Sequence, residues 1–305
     1  KYIFSILLPI LIMILEKRNM SLFEILFRIK AQIYLFFNNT RKAKQTLLDI
    51  LDKNQNSYKA HLMLAQIYEQ EGGMRKSIDE YVQAIDLNKQ DYNSYYKVSE
   101  LLNQLEKKDE AAQMLFNLLQ KKPDMCEASE LLGSILIEKD RYKEASNVYQ
   151  DAIKYNPLNY ELHYNLAIVY TMLNDFQSAK MYYEKAAEIN SLSYNSIYSL
   201  AQIALIYKEL EEAERRFLSV IEEDELSADA YYELAKISLL KREKDVAIKY
   251  INIAIDIDSK KIVEKVKKDS MFIPIMAKIS IPFNLESDSK ESKGKMTKKE
   301  EKVKE

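Results

Sequence analysis

The chain has 305 residues, 45 Lys and Arg against 47 Asp and Glu, a formal net charge of −2, and only 4 Gly and 5 Pro. Basic and acidic residues are interleaved, so the basic excess or stripe of a nucleic-acid binder is missing, and the scarcity of turn formers weighs against a β-rich fold. The single cysteine, Cys126, excludes an internal disulfide and a multi-thiolate zinc site.

Tyr2–Leu15 contains no charged residue and is followed by Glu16, Lys17 and Arg18. As a helix it would be ~21 Å long, short of the ~30 Å hydrocarbon core of a bilayer. Residues 1–19 are read as a candidate membrane anchor. The alternatives are a helix buried against the downstream chain, an uncleaved export signal, or a true start at Met20. No small-residue cleavage motif follows Leu15, which disfavours a removed signal peptide. If the segment inserts, Lys17, Arg18, Arg28 and Lys30 outnumber Lys1, and the positive-inside tendency places the remainder at the cytoplasmic face of a membrane. Leu22–Phe37, rich in Leu, Ile and Phe, suits a helix that covers an open face or lies on lipid.

From there a pattern repeats every 34 residues. Ala31, Ala65, Ser99, Gly133, Ala167, Ala201 and Ala235 each precede a second small residue by twelve places: Ala43, Ser77, Ala111, Ala145, Ala179, Ala213 and Ala247. Two antiparallel helices approach closely only where a side chain is missing at the crossing, so the pairs predict helical hairpins. In the stretch from Tyr160, a helix over 160–172 carries Leu166, Ala167 and Tyr170 on one face. Leu173–Phe176 is turn-prone, and a second helix over 177–189 carries Ala179, Tyr183 and Ala186.

These residues resemble the tetratricopeptide repeat (TPR) family, whose signature has the same period and a W-x₂-L-G-x₂-Y…A-x₃-F…P pattern. Leu132, Gly133, Ala145, Tyr149, Ala152 and Pro157 fit it in one unit, and Pro123 closes the unit before. The resemblance implies an all-α fold, a right-handed superhelical solenoid of antiparallel helix pairs. Seven units are assigned over 24–261: 24–57, 58–91, 92–125, 126–159, 160–193, 194–227 and 228–261. Departures are Lys30 at a leucine position, Ala204 and Ser238 at tyrosine positions, and no tryptophan anywhere; His61, Tyr95, Ser129, His163, Ile197 and Tyr231 stand in its place. Lys30 suggests a shifted first helix. Residues 262–283 are expected to cap the array with Ile262, Val263 and Val266, and 284–305, composed of Lys, Glu and Ser, to be a disordered charged tail.

No catalytic constellation is evident. The two histidines, His61 and His163, fall three units apart at the family's tryptophan position, which suits packing rather than a shared metal. There is no glycine-rich phosphate loop; Gly72-Gly73 sits in a turn. The expectation is a non-enzymatic chain without cofactor, metal, nucleic acid or small-molecule substrate.

What the resemblance implies instead is a concave groove lined by the first helix of each unit, at its positions two, five, nine and twelve. Position five supplies Tyr96, Tyr164, Tyr198 and Tyr232, and beside them lie Glu100, Glu127, Glu130, Glu161, Asn165, Gln202 and Lys236. Tyrosine offers large apolar area and a hydroxyl at low entropic cost, which suits a peptide-binding wall. The candidate partner-binding set is Tyr96, Glu100, Glu130, Tyr164, Asn165, Tyr198, Gln202, Tyr232 and Lys236. The clamp by which some TPR domains grip a chaperone's C-terminal carboxylate is absent: Asn165 matches its middle site, but Glu130 and Ser134, and Asn195 and Ser199, stand where other residues are required. The layout also resembles membrane-anchored bacterial TPR assembly factors, without the paired-cysteine knuckle some of them carry. The reading is a protein–protein interaction scaffold tethered to a membrane. The rivals are a self-associating structural array and an exported cell-envelope protein.

Overall fold

The computed structural model describes residues 20–190 and 193–282. Its secondary structure is helical, with no strand among the described residues. The run 2–15, with the rest of 1–19, and the tail 284–305 lie outside them. The chain divides between Pro157 and Leu158 into two compact units.

The first unit holds four helical hairpins: α1 (Met20–Phe36) with α2 (Thr40–Lys53), α3 (Tyr58–Gln70) with α4 (Met74–Leu87), α5 (Tyr92–Gln104) with α6 (Lys108–Lys121), and α7 (Cys126–Glu138) with α8 (Tyr142–Tyr155). The second holds three: α9 (Tyr160–Met172) with α10 (Phe176–Ile189), α11 (Tyr194–Ile206) with α12 (Leu210–Glu223), and α13 (Ala228–Leu240) with α14 (Lys244–Ile257). Helix α15 (Ser259–Lys268) and a 3₁₀ segment (Ser270–Lys278) come after them. Within each unit successive hairpins pack on one another, each second helix against the next first helix. We call the members of a hairpin its A and B helices.

All fourteen small residues of the repeat are buried. In the α3/α4 hairpin the helices are so close that the Ser77 hydroxyl donates to the Ala65 carbonyl at 2.8 Å. At Gly133 a Cβ would overlap the Tyr149 ring, so only glycine fits opposite that side chain. Around each crossing the B helix inserts one large apolar group, among them Tyr81, Leu115, Tyr149, Tyr183, Phe217 and Ile251, all buried.

The A-to-B turn is uniform in geometry although not in sequence. Asn38, Gly72, Glu106, Asp140, Asn174, Lys208 and Arg242, spaced by the repeat, all adopt positive φ between 54° and 73°. Each turn closes with the paired hydrogen bonds of a Schellman motif, as in Gly73 N to Tyr68 O (2.8 Å) and Gly72 N to Glu69 O (3.0 Å). Those bonds occupy carbonyls that a helix end would otherwise leave unmatched. They hold even Lys208 and Arg242 in a conformation that costs a side-chain-bearing residue about 1–2 kcal/mol.

The two ends of the repeats are finished differently. Helix α1 begins at Met20, a turn upstream of the unit expected at Glu24, and Lys30 is half-buried with its ammonium 5.0 Å above the Phe27 ring. After α14, helix α15 buries Ile262, Val263 and Val266, and the 3₁₀ segment buries Phe272 and Ile275 in one cluster with Tyr232, Ala235 and Ala247. Asp229 on α13 ties this cap down through Lys261 (2.5 Å) and Lys265 (2.6 Å). No helix among the described residues is long and apolar enough to cross a membrane.

Candidate partner-binding surface

The A helices carry the sequence-derived wall residues, and their starts are fixed by capping. Ser57, Asp91 and Asn159 accept hydrogen bonds from backbone N–H groups three residues on, which sets the rotation of α3, α5 and α9. The first residue of one unit also reaches the cap of the next: Ser57 Oγ donates to Glu24 at 2.5 Å, Tyr58 OH to Asp91 at 2.7 Å, and Tyr160 meets Ser193. This link between neighbouring hairpins was not anticipated. Its signal is Glu24, Tyr58 and Tyr160 at their unit starts, each 33 residues before a Ser or Asp.

In the first unit the structure brings Tyr96, Glu100 and Glu130 together with Glu127. Burial raises the Tyr96 phenol pKa, and the charges of Glu100, Glu127 and Glu130 raise it further against the opposing effect of Lys97. A cavity of about 290 Å³ opens beside Tyr96, lined also by Leu62, Gln66, Tyr81, Lys97 and Glu127. Two residues missed in the sequence organise its edge: Lys97 bridges Glu100 (2.8 Å) to Glu69 on α3 (3.2 Å), and Glu69 accepts from Tyr81 OH (2.7 Å). Burial, reinforced by Glu69, raises the Tyr81 phenol pKa as well. Glu127 is exposed and Glu100 and Glu130 are half-buried, so the wall presents carboxylates around an aromatic ring.

In the second unit the same repeat position is more enclosed. Tyr164 stacks on Tyr160 with centroids 5.7 Å apart and meets Tyr183 edge-on at 5.5 Å. Tyr198 packs edge-on against Phe217 at 5.2 Å. Burial raises both phenol pKa values, with Glu233 and Asp229 adding to the shift at Tyr198. Asn165 is half-buried on α9 and Gln202 exposed on α11. Tyr232 is only 6% exposed: its hydroxyl donates to Asp269 (2.9 Å), its ring lies 5.3 Å from Phe272, and Lys236 and Lys265 sit over its face. Lys236 also pairs with Glu233 at 3.0 Å. The cap therefore takes up Tyr232.

Of the two histidines, His163 is buried at 4% exposure, and His61 is held by Glu80 (2.7 Å) and the Gln55 carbonyl (2.9 Å). Among the described residues no three His, Cys, Asp or Glu side chains cluster as metal ligands do.

Hairpins of two helices, repeated at a fixed interval and packed in succession, define a helical-repeat protein. The chain belongs to the tetratricopeptide repeat family: family models described as TPR repeat or tetratricopeptide repeat match residues 133–174, residues 58–91 and 160–191, and residues 199–262. The C-terminal part of a TPR repeat-containing protein from Cytophaga hutchinsonii is similar at a TM-score of 0.66 and 17% identity, covering 78% of this chain and 98% of that one. A tetratricopeptide repeat protein from Parabacteroides merdae has a TM-score of 0.52 at 17% identity, over 78% of this chain and 95% of that one. YrrB, described as a TPR protein with an unusual peptide-binding site, has a TM-score of 0.53 at 25% identity, over 62% of this chain and 98% of that one. The first two likenesses speak for the fold alone. No curated protein sequence matches the chain.

Proposed function

We propose that this protein is a non-enzymatic scaffold that captures an extended or helical segment of a partner protein on its A-helix walls, and that residues 1–19 tether it to a membrane. The observation that carries the first part is the first-unit cavity lined by Tyr96, Lys97 and Glu127, with the charges of Glu100 and Glu130 acting on the same ring. Carboxylates around a ring and an apolar floor favour a segment with basic and aromatic side chains, because complementary charge steers encounter and the ring supplies contact area. YrrB, a protein of similar fold described as having an unusual peptide-binding site, supports peptide capture by this fold. The tether rests on the charge-free run 2–15 and the basic residues after it.

The test of capture uses the full chain and a labelled peptide rich in Arg and Tyr, followed by fluorescence anisotropy. Wild type binds it with an affinity that falls as salt rises, and an Asp- and Glu-rich peptide does not bind. Replacing Glu100 and Glu127 together by Gln weakens binding about tenfold while helicity is kept, since rim charges act on association rather than on the core. Equal binding by wild type and variant contradicts the groove assignment.

A further inference from the structure

Helix α1 has two apolar faces, and among the described residues only one is covered. Phe23, Phe27 and Ala31 are buried against α2 and α3. On the other side Ile25, Ile29, Ile33 and Phe36 form a stripe at helical spacing, continued by Phe37, and all are exposed, Phe36 at 84%. The residues equivalent to Ile33 in the later hairpins, from Ile67 to Ile237, are at most 3% exposed. The position that every other A helix covers is thus open in α1.

Three occupants fit an apolar stripe: the upstream run 2–15, a second copy, or lipid. The run 2–15 has 14 residues, the length of each B helix, and four residues separate it from Met20. It therefore has the reach to fold back on α1. Its composition argues against that resting place. Helix α15, which covers the last repeat, has a polar outer side: Ile262, Val263 and Val266 face in, while Lys260, Glu264, Lys267 and Lys268 are exposed. The run 2–15 carries no charge on any side, so folding back would cover one apolar stripe and turn another to water. A bilayer accepts both. Arg28 and Lys30 lie on the same helix as the stripe against Glu24, and Lys17 and Arg18 precede it in the sequence, which suits anionic headgroups.

We infer that α1 lies along the surface of an anionic bilayer, with Ile25, Ile29, Ile33, Phe36 and Phe37 in contact with lipid. This rests on the tether reading above and adds to it a defined contact face on the folded repeats.

The chain has no tryptophan, so Phe36→Trp in the full chain is a single reporter at an exposed position. With vesicles of phosphatidylcholine and phosphatidylglycerol, its emission shifts to the blue and is quenched by lipids brominated in the acyl chain. The variant Ile29→Gln/Ile33→Gln, altered only at exposed sites, partitions about tenfold less into those vesicles, in line with the loss of apolar contact. If the protein binds vesicles while the reporter stays unshifted and the double variant partitions normally, the inference fails and the tether stands. If the full chain does not bind vesicles at all, the tether fails with it. Blue emission without vesicles also overturns the inference: independent of concentration it means that 2–15 covers the stripe, and rising with concentration it means that a second copy does.

Discussion

Tyr96 in the first unit and Tyr164 and Tyr198 in the second occupy the same place in the repeat but have different surroundings. Nineteen residues after each, the B helix carries Leu115 for Tyr96, Tyr183 for Tyr164 and Phe217 for Tyr198, and the last two meet their tyrosine rings. Where that residue is aromatic, the wall tyrosine is drawn into an edge-on pair inside the protein. Where it is leucine, the ring stays among carboxylates at an open cavity. Tyr232, opposite Ile251, finds its ring partner instead in Phe272 of the cap. A shared repeat position therefore does not mean a shared role; the residue across the hairpin decides it.

The largest expected effect comes from removing the partner ring. Phe217 is fully buried, so Phe217→Ala should cost about 3–5 kcal/mol, seen as a lower denaturation midpoint. Phe217→Leu is milder and gives the second unit the first unit's arrangement. It should lower the Tyr198 phenol pKa toward its ordinary value in a spectrophotometric titration, by relieving burial. An unchanged titration would break the comparison.

Gly133→Ala should cost about 1–3 kcal/mol by forcing Tyr149 out of place. Adding Tyr149→Leu should recover part of that loss, a non-additivity that denaturation of the four variants measures. Full additivity would mean that the two sites do not meet.

The cap over Tyr232 should weaken in acid. Burial pushes the Asp229 pKa up, but hydrogen bonds from Lys261 and Lys265 outweigh it and leave the carboxyl below its usual value. A group with a depressed folded pKa contributes stability above the unfolded value, about pH 4, and loses it as pH falls through the folded value. Wild type should therefore lose melting temperature below about pH 4 more steeply than Asp229→Asn. Parallel acid limbs would remove Asp229 from the account of the cap.

The smallest effect lies away from both walls. Lys208→Gly relieves a positive φ but gives the unfolded chain more freedom, for a net gain of roughly 0.5 kcal/mol with peptide capture unchanged.

Much of the fold was legible because helix crossing distance leaves a direct mark in composition: a small residue is needed on both helices, and the Ala, Gly and Ser positions met that need at full burial. The turns were less legible. Gly72 announces itself by type, and Asn38, Asp140 and Asn174 do so more weakly, but Glu106, Lys208 and Arg242 do not, because backbone hydrogen bonds hold them. The fate of Tyr232 was hidden for another reason: Asp269 and Phe272, which enclose it, come from outside the repeat and obey no period. Lys97 could have been found, since it lies three residues before Glu100 on the same helix face and 28 after Glu69. The ring pairs were likewise in the sequence, as aromatic residues nineteen apart.

The central claim is that the open, carboxylate-flanked Tyr96 wall captures a basic and aromatic partner segment. The most direct test exchanges the residue across the hairpin: Leu115→Phe in the full chain, with the labelled Arg- and Tyr-rich peptide as probe. The account predicts that the new ring draws Tyr96 into the wall and that peptide affinity drops severalfold, with the phenol pKa of Tyr96 rising further. Unchanged peptide affinity in a folded variant whose Tyr96 titrates higher would contradict it.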